Sequence, residues 1–384
     1  MGRYIFYRLV RALITLVLFQ TILFFLIHAL PGDFASMVFG LPPIWKKALR
    51  VYLGLNLPLW QQYLRWMKGF FTGNLGRSFL YPRFSVLELL LMALPKTLLL
   101  LVPGTVCAWA LGLWLGKVLA WPPKRSPLIN ASATTLAVVS YSAFLPWVMF
   151  MLVQIFAIRL RWFPAQSETS LELWSDVTVP STSVMIWMLL TFILGFTGWW
   201  AIGRAARRLK RPAKLALRAL LFASIALAWV FSGWARLALD IAWHLALPFT
   251  ALSFTTFGEI MLLMRTSMSL LQGEDFVLMA RAKGLPDNRI RDAHLSRIAI
   301  LPLLSRFMLQ LPFLLLGSFV IEKMFFWPGV GVLLFFAIDY QDVPLLMGIL
   351  SLAGILLLVS HISLDIIQAW MDPRLRSRFY GRVA

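Results

Sequence analysis

The chain has 384 residues, of which 60% are hydrophobic and only 14% are charged, and its mean hydropathy is +0.80. Soluble domains carry about 25% charged residues, so this composition excludes an ordinary soluble protein and indicates an integral membrane protein. The formal net charge of +20 would suggest nucleic-acid binding in a soluble protein. In a membrane protein it is explained by basic loops that stay inside the cell, and no nucleic-acid partner is expected.

Apolar stretches of about 20 residues recur along the chain, which is the length that a helix needs to cross a bilayer. We predict one domain, residues 1–384, with eight membrane-spanning helices. Their approximate ranges are 9–30, 97–120, 129–158, 183–203, 216–236, 243–268, 299–325 and 343–370. The first stretch lacks the small-residue cleavage site of a signal peptide, so it is predicted to remain as a span.

Residues 31–96 are predicted to form an external segment after the first span. Within it, an apolar stripe follows the spacing of one helix face, at Trp60, Tyr63, Leu64, Met67, Phe70 and Phe71. This pattern predicts an amphipathic helix. Such a helix either lies on the outer membrane surface or packs its apolar face against the bundle.

Residues 183–236 have the pattern of a transmembrane hairpin, with a tip that is rich in basic residues and free of acidic ones. The basic residues are Arg204, Arg207, Arg208, Lys210, Arg211, Lys214 and Arg218. The positive-inside rule places this tip in the cytoplasm, so the hairpin leaves the orientation of the later spans unchanged. Its simplest role is a topology anchor that attracts anionic lipid headgroups.

The segment 269–298 is unusually polar for a connection between two apolar spans. It contains the run Asp275-Phe276-Val277-Leu278-Met279-Ala280-Arg281-Ala282-Lys283-Gly284-Leu285-Pro286, followed by Arg289, Arg291, His294 and Arg297. The composition of the first part predicts a short helix on the cytoplasmic side. By composition alone, an ordinary solvated loop is the simpler interpretation.

This segment resembles the coupling loop of ABC-transporter permeases of the dipeptide/oligopeptide family. In that family an acidic-aromatic-V start leads to the core A-R-A-K-G-L, here Ala280 to Leu285, and then to a basic helix and an L-P step, here Leu301-Pro302. Other motifs of the family are matched by Leu30-Pro31-Gly32-Asp33, Leu53 to Tyr63, Gly73 to Ser78, Trp327 to Gly331 and Asp372-Pro373-Arg374. The resemblance covers residues 1–165 and 240–376, whereas residues 166–239 do not match.

The resemblance implies an all-α, polytopic transmembrane bundle of the type I ABC importer kind, with six family spans plus the inserted two-helix hairpin. It implies that the chain is the membrane permease of an ATP-driven importer and not an enzyme. ATPase coupling would then fall to Asp275, Phe276, Ala280, Arg281, Ala282, Lys283, Gly284 and Leu285. The small residues would allow close approach of an ATPase subunit, Phe276 and Leu285 would be apolar anchors, and the basic residues would pair with charges at the rim.

The resemblance also implies partners and a location. They are a second, homologous permease, two cytoplasmic ATPase subunits that carry ATP and Mg²⁺, an extracytoplasmic substrate-binding protein and membrane lipid. No cofactor is expected in this chain itself. The location is the inner (plasma) membrane of a prokaryotic cell, with both termini cytoplasmic. Peptides are the default substrate, with nickel chelates, oligosaccharides and other solutes as alternatives.

No catalytic or metal-binding motif is expected, because the sequence has neither a phosphate-binding loop nor an H-E-x-x-H pair. Glu259 lies well inside a predicted span, where an ionisable residue either lines the translocation path or bonds to a neighbouring helix. Arg306 is predicted to reach towards a membrane surface, and Glu322 and Lys323 to serve a gate or an interface. The competing hypothesis is a stand-alone secondary carrier or channel, which needs no partner-binding cytoplasmic helix.

Overall fold

The structure is a computed structural model and describes residues 2–37, 42–121, 127–205 and 210–371. Helices dominate these ranges, and the only β-type pairing within them is an isolated bridge between Arg77 and Ser85. By length and composition, seven of the described helices are able to cross a membrane, and a bent pair adds an eighth span if it is counted as one. The predicted all-α, polytopic bundle is confirmed.

The first half of the chain combines long spanning helices with short helices in the segment between the first two spans. Its helices are α1 (Gly2–His28), α2 (Phe34–Met37), α3 (Pro43–Leu53), α4 (Leu59–Thr72), α5 (Val86–Ala120), α6 (Pro127–Ser142), α7 (Leu145–Leu152) with a π-helical continuation (Val153–Arg159), α8 (Leu171–Trp174) and α9 (Ser181–Ala205).

The second half contains the longest helix and the polar connection. Its helices are α10 (Arg211–Phe231), α11 (Ala235–Leu271), α12 (Asp275–Ala282), α13 (Asp287–Arg289) with a π-helical continuation (Ile290–Leu295), α14 (Ser296–Gly317), α15 (Phe319–Met324), α16 (Val330–Asp339) and α17 (Val343–Met371). The motif Asp372-Pro373-Arg374 and the basic residues Arg207 and Arg208 lie outside the described residues.

Helix α5 begins at Val86 rather than near residue 97, so the segment between the first two spans is shorter than predicted. The reason is a capping box, in which the Glu88 amide donates to Ser85 Oγ at 3.2 Å and the Ser85 amide donates to Glu88 Oε2 at 2.8 Å. These two bonds satisfy amide groups that the first turn of a helix leaves free. They therefore set the start of the helix well before its most apolar part.

The predicted span 129–158 is not one straight helix. It is broken between Ser142 and Leu145, and its two parts meet at an angle of 104°. Pro146 explains the break, because proline has no amide hydrogen to donate to the Ser142 carbonyl and its ring clashes with that group. The second part continues as the π-helical turn that ends at Arg159.

The predicted hairpin consists of α9 and α10, and its second helix lies earlier than the predicted range 216–236. The helix starts at Arg211, with Pro212 in its first turn, and ends before Gly233, whose φ of 74° allows a tight turn into α11. At the N-terminal end of α9, Ser181 Oγ donates to Glu168 Oε1 at 3.2 Å. Glu168 also forms an ion pair with Lys96 of α5 at 2.8 Å, so α9 starts near the N-terminal end of α5.

Helices α5 and α11 form the central packing pair of the bundle. Small residues on α5 face α11 at intervals of four residues, namely Gly104, Ala108, Gly112 and Gly116. A Cβ atom added at Gly112 would lie 2.8 Å from the Cβ of Ile260 and 2.9 Å from the Phe257 carbonyl oxygen. Such a stripe lets two helix backbones approach closely where the surrounding lipid offers no hydrophobic driving force.

We expect Gly112→Ala to lower the free energy of unfolding by about 1–3 kcal/mol, because the added methyl group overpacks the α5–α11 contact. Thermal unfolding of the purified protein in detergent measures this as a lower midpoint. Gly317→Ala is the matched control, since an added Cβ there has no atom within 4 Å. Equal midpoints for the two variants would contradict the close approach of α5 and α11.

The segment between α1 and α5 is fastened to the turn between α16 and α17. Asp342 is fully buried and accepts hydrogen bonds from Ser78 Oγ at 2.5 Å and from the Leu80 amide at 2.9 Å. Within the segment, the Arg50 guanidinium donates to Asp33 at 2.6 Å and holds the pKa of that carboxyl below its ordinary value. Ser78 thus fastens this segment to the bundle, and Asp33 ties parts of the segment to each other.

The predicted amphipathic helix corresponds to α4, which packs one face against α1. Tyr63 OH and Thr21 Oγ1 are 2.9 Å apart, and the ring of Tyr63 contacts the ring of Phe24. Other members of the stripe, including Trp60 and Phe71, remain exposed along the edge of the same face. Part of the stripe is therefore a packing face. The end of the bundle at which α4 lies is called the α4 end, and the end at which α12 lies is called the α12 end.

Candidate functional site

Helix α12 lies across the end of the bundle at which α5 and α11 finish. A short turn after Leu271 separates it from α11, and Asp275 occupies its first turn, where a negative charge is favourable to the helix dipole. In that turn Gln272 Nε2 donates to the Ala120 carbonyl oxygen at 2.7 Å. The C-terminal ends of α5 and α11 are thereby tied together directly beside α12.

One face of α12 is part of the hydrophobic core. Val277 is fully buried and Ala280 is 6% exposed. They pack into a cluster built from the ends of α5, α11 and α14, whose members include Leu119, Trp121, Met264, Met268, Ile290, Leu295 and Leu303. Phe276 and Leu285 pack against the same cluster. Helix α12 thus shares a buried cluster with the ends of three spanning helices.

The helix ends at Gly284 in a Schellman motif. Gly284 has a φ of 72°, its amide donates to the Arg281 carbonyl at 2.8 Å, and the Leu285 amide donates to the Ala280 carbonyl at 3.2 Å. These bonds satisfy carbonyl groups at the helix end and require a left-handed residue, for which glycine is suited. Gly284 is therefore needed for the shape of the turn, and an added Cβ would meet no atom within 4 Å.

Arg281 is held back against the bundle. Its guanidinium carbon lies 4.6 Å from the ring centroid of Trp121, which is 1% exposed. A cation over the face of an indole ring is attracted by the ring's quadrupole. This contact fastens the last turn of α12 to the residue that follows α5.

The opposite face of α12 is open and partly apolar. Leu278 is 53% exposed and Met279 is 59% exposed. Asp275, Ala282 and Lys283 are exposed beside them. Two large apolar side chains are thus exposed side by side on a helix whose other face is buried in the core. We call Asp275, Leu278, Met279, Ala282 and Lys283 the α12 outer face.

A second polar group lies within the spanning part. The Glu259 carboxylate of α11 forms an ion pair with the guanidinium of Arg306 on α14. Gln310 Nε2, one turn further along α14, lies 3.4 Å from Glu259 Oε2. Glu259 is thus bonded to a neighbouring helix, and Arg306 points to Glu259 rather than towards a membrane surface as predicted.

The comparison with known proteins covers nearly the whole chain. Residues 108–377 match the family described as binding-protein-dependent transport system inner membrane component, and residues 1–101 match the N-terminal region of such membrane components. The chain belongs to this family of ABC-importer permeases. The permease is therefore a multi-pass inner-membrane transport subunit that works with ATPase and substrate-binding components.

Several relatives resemble the permease over most of their length. The di/tripeptide transport system permease protein DppB of Pseudomonas aeruginosa is 30% identical over 358 residues, covering 92% of each chain. The dipeptide transport system permease protein DppB of Escherichia coli K12 is 28% identical, over 92% of this chain and 93% of its own. The oligopeptide transport system permease protein AppB of Bacillus subtilis is 25% identical, over 98% of this chain and 99% of its own.

The predicted coupling residues of the permease divide between the two faces of α12. Ala280 faces the core, so it does not offer close backbone approach to another subunit, and Phe276 and Leu285 contact the permease's own core rather than standing free as anchors. The exposed apolar residues are Leu278 and Met279, which sequence reasoning passed over. The three-residue spacing of Val277 and Ala280 marks the buried face, and it would have placed Leu278 and Met279 outside.

Glu322 was predicted as a gate or interface residue, but it is a fully buried anchor inside the permease. Its carboxylate accepts from Thr97 Oγ1 at 2.7 Å, from Ser318 Oγ at 2.9 Å and from the Val332 amide at 3.0 Å. These donors belong to α5, to the α14–α15 junction and to α16. The next residue, Lys323, lies over the ring of Phe335 at 3.1 Å from its centroid. Glu322 thereby joins three elements around the Trp327-to-Gly331 turn.

Proposed function

We propose that this permease imports short peptides and that α12 is the helix through which the ATPase subunits drive it. The observation that carries the proposal is the α12 outer face, an exposed apolar surface on a helix whose other face is buried in the bundle. A permease of this family has to receive mechanical work, and a helix with one face in the core cluster and an open apolar face is suited to that task. Peptides are proposed because the relatives above are named as di/tripeptide, dipeptide and oligopeptide permeases.

The seating of α12 supports direct transmission of force. Because Val277 and Ala280 belong to the buried cluster that includes the ends of α5, α11 and α14, a displacement of α12 would be passed on to the ends of three spanning helices. Closure of two ATPase subunits around ATP and Mg²⁺ would bring this helix and its counterpart on a second, homologous permease together. The path between the two permeases would then open outward to accept substrate from the binding protein. The two states differ in their ATPase contacts, as coupling requires.

The proposed orientation places the α12 end in the cytoplasm and the α4 end outside. Helix α1 starts and α17 finishes at the α12 end, so both termini would be cytoplasmic. Basic residues at this end support the orientation, with Lys117 at the end of α5, Lys210 and Lys214 near the hairpin tip, and Arg289 and Arg297 after α12. Membrane lipid would surround the spans and the hairpin. A stand-alone carrier or channel is not favoured, because the family works with ATPase partners.

The test of the coupling role is co-purification of the ATPase subunits with tagged permease from its native membranes, comparing wild type with Gly284→Arg. We expect the variant to lose the ATPase subunits, because a left-handed conformation costs a residue with a Cβ about 1–2 kcal/mol and the new side chain stands beside the α12 outer face. Gly273→Arg is the control, since Gly273 is exposed, precedes α12 and has space around it. Retention of the ATPase by Gly284→Arg would contradict the role of α12.

The test of the substrate is uptake of radiolabelled trialanine by proteoliposomes that contain the complete complex and its binding protein. ATP-dependent accumulation inside the vesicles is the expected result. Accumulation of a nickel chelate or an oligosaccharide, but not of trialanine, would reject peptide import and leave the coupling role of α12 untouched.

A further inference from the structure

A half-exposed arginine stands within the spanning part of α14. Arg306 is near the middle of this helix and lies nine residues, or about 13 Å of helix, beyond Arg297. Its side chain is 50% exposed, whereas the side chain of its partner Glu259 is only 16% exposed. The carboxylate is therefore shielded, and the accessible group of the pair is the cation.

Lipid is an unsuitable neighbour for this exposed guanidinium. A charged side chain within the hydrocarbon core is costly, and such residues almost always face the bundle interior or a water-filled cavity. A long basic side chain within a span usually extends its charged group to the membrane surface. Arg306 does not, because the ion pair with Glu259 holds its guanidinium at the depth of that carboxylate. The exposed side of Arg306 must therefore face water or another polar surface.

The surroundings of Arg306 form a continuous open stripe. The residues of α14 that remain exposed in line with it are Pro302, Arg306, Leu309, Phe313 and Gly317. The facing side of α11 carries Thr255, Glu259 and Thr266, all of them at least partly accessible. A stripe with polar groups from two helices, in a bundle that belongs to a transport subunit, is suited to line a water-filled path.

The geometry of the pair determines which ligand this point of the path would hold. Of the two Glu259 oxygens, one faces Arg306 and the other faces Gln310, so neither is free to bind a cation. The guanidinium has five N–H donors in a planar fork, and its exposed side keeps donors available. Such a fork matches a carboxylate better than any other group of a peptide.

We propose that Arg306, positioned by Glu259 and Gln310, binds the carboxylate group of the substrate within the translocation path. This inference rests on the proposed import of peptides for the identity of the anion, but not for the position of the path. Glu259 then serves as a positioning residue for the cation, and not as a ligand of the substrate itself.

The experiment measures the local charge with thiol reagents and needs no substrate. The background is Cys107→Ala, which removes the single cysteine of the chain, and Leu309→Cys places a thiol on the stripe next to Arg306. In the assembled complex, the rates of modification by an anionic sulfonatoethyl and a cationic trimethylammonioethyl methanethiosulfonate are measured. The ratio of the anionic to the cationic rate is then compared between the Cys107→Ala/Leu309→Cys permease with its native Arg306 and the same permease with Arg306→Gln.

We expect both reagents to modify the thiol at position 309, and Arg306→Gln to lower the anionic-to-cationic rate ratio at least threefold. Arg306→Lys, which keeps the charge, is expected to preserve the ratio. Leu220→Cys on α10 is the control for a lipid-facing position, since Leu220 is 70% exposed and no residue from Pro212 to Phe231 is buried. It is expected to stay unmodified. If Arg306→Gln leaves Glu259 unpaired and disturbs folding, the double variant Glu259→Gln/Arg306→Gln replaces it.

Two results would overturn the proposal. Failure of both reagents to modify the thiol at position 309 would show that Arg306 does not face the path. An unchanged rate ratio in Arg306→Gln would show that Arg306 is not an anion site. Absence of trialanine uptake by the wild-type complex would instead reject peptide import. It would leave the thiol result unchanged, because the modification rates are measured without any peptide. The two failures are therefore distinguishable.

Discussion

The double substitution Leu278→Asp/Met279→Asp is expected to abolish transport and to uncouple the ATPase from the permease. These side chains are the exposed apolar part of the α12 outer face. Two buried carboxylates in an otherwise apolar contact would each lose hydration without gaining a partner. In proteoliposomes with the complete complex, we expect uptake and substrate-stimulated ATP hydrolysis to fall at least tenfold. Each substitution alone is expected to have a smaller effect in the same direction.

The fold should survive this change, because neither side chain belongs to the core cluster that seats α12. An unchanged thermal midpoint of the permease checks this. Leu171→Asp is the matched control, since Leu171 is 91% exposed but lies in α8, far along the chain from α12 and towards the α4 end. Full ATPase binding and uptake in Leu278→Asp/Met279→Asp would show that the partner contacts another surface.

Glu322→Ala is expected to destabilise the permease severely. The substitution leaves the hydroxyl of Thr97 and the Val332 amide without their buried acceptor, whereas the Ser318 hydroxyl can still donate to the Leu315 carbonyl oxygen. Each buried donor that loses its partner costs about 1–3 kcal/mol, so the loss of two is a large fraction of the stability of many proteins. We expect little folded protein in membranes and a large drop in the thermal midpoint of whatever can be purified.

Two further variants separate the loss of the acceptor from the loss of charge. Glu322→Gln keeps one carbonyl oxygen as an acceptor and is expected to be less harmful than Glu322→Ala. Glu172→Ala removes an exposed carboxylate and is expected to leave the free energy of unfolding within about 0.5 kcal/mol of wild type, as surface substitutions usually do. A normal yield and midpoint for Glu322→Ala would refute the anchoring role.

Much of the architecture could be predicted because membrane spans are encoded locally. A run of apolar residues of sufficient length must be helical in a bilayer, whatever its neighbours are, so the number of spans and the positions of most helices followed from hydropathy. The errors lie where local polar chemistry overrides that signal. The Ser85–Glu88 capping box starts α5 early, and Pro146 breaks a span that hydropathy presents as continuous.

The short helix that carries the candidate site was predicted, but the division between its buried and exposed side chains was not. The A-R-A-K-G-L core identified α12, and Gly284 lies at its end as a left-handed residue. Which side chains of α12 are buried depends on where α5, α11 and α14 end, and these ends are far apart in sequence. Phe276 and Leu285 therefore looked available to a partner, while the exposed Leu278 and Met279 were overlooked.

The sequence by itself determined that this protein is an all-helical membrane permease, because span length, charge distribution and the family's motifs are properties of short segments. Only the tertiary structure decided the roles of the ionisable residues within the spans. Glu322 became a buried anchor through donors at positions 97, 318 and 332, and Arg306 became the accessible half of a pair with Glu259. The physical reason is that the state of a charge in a membrane depends on which groups surround it. Those groups come from helices that meet only when the chain has folded.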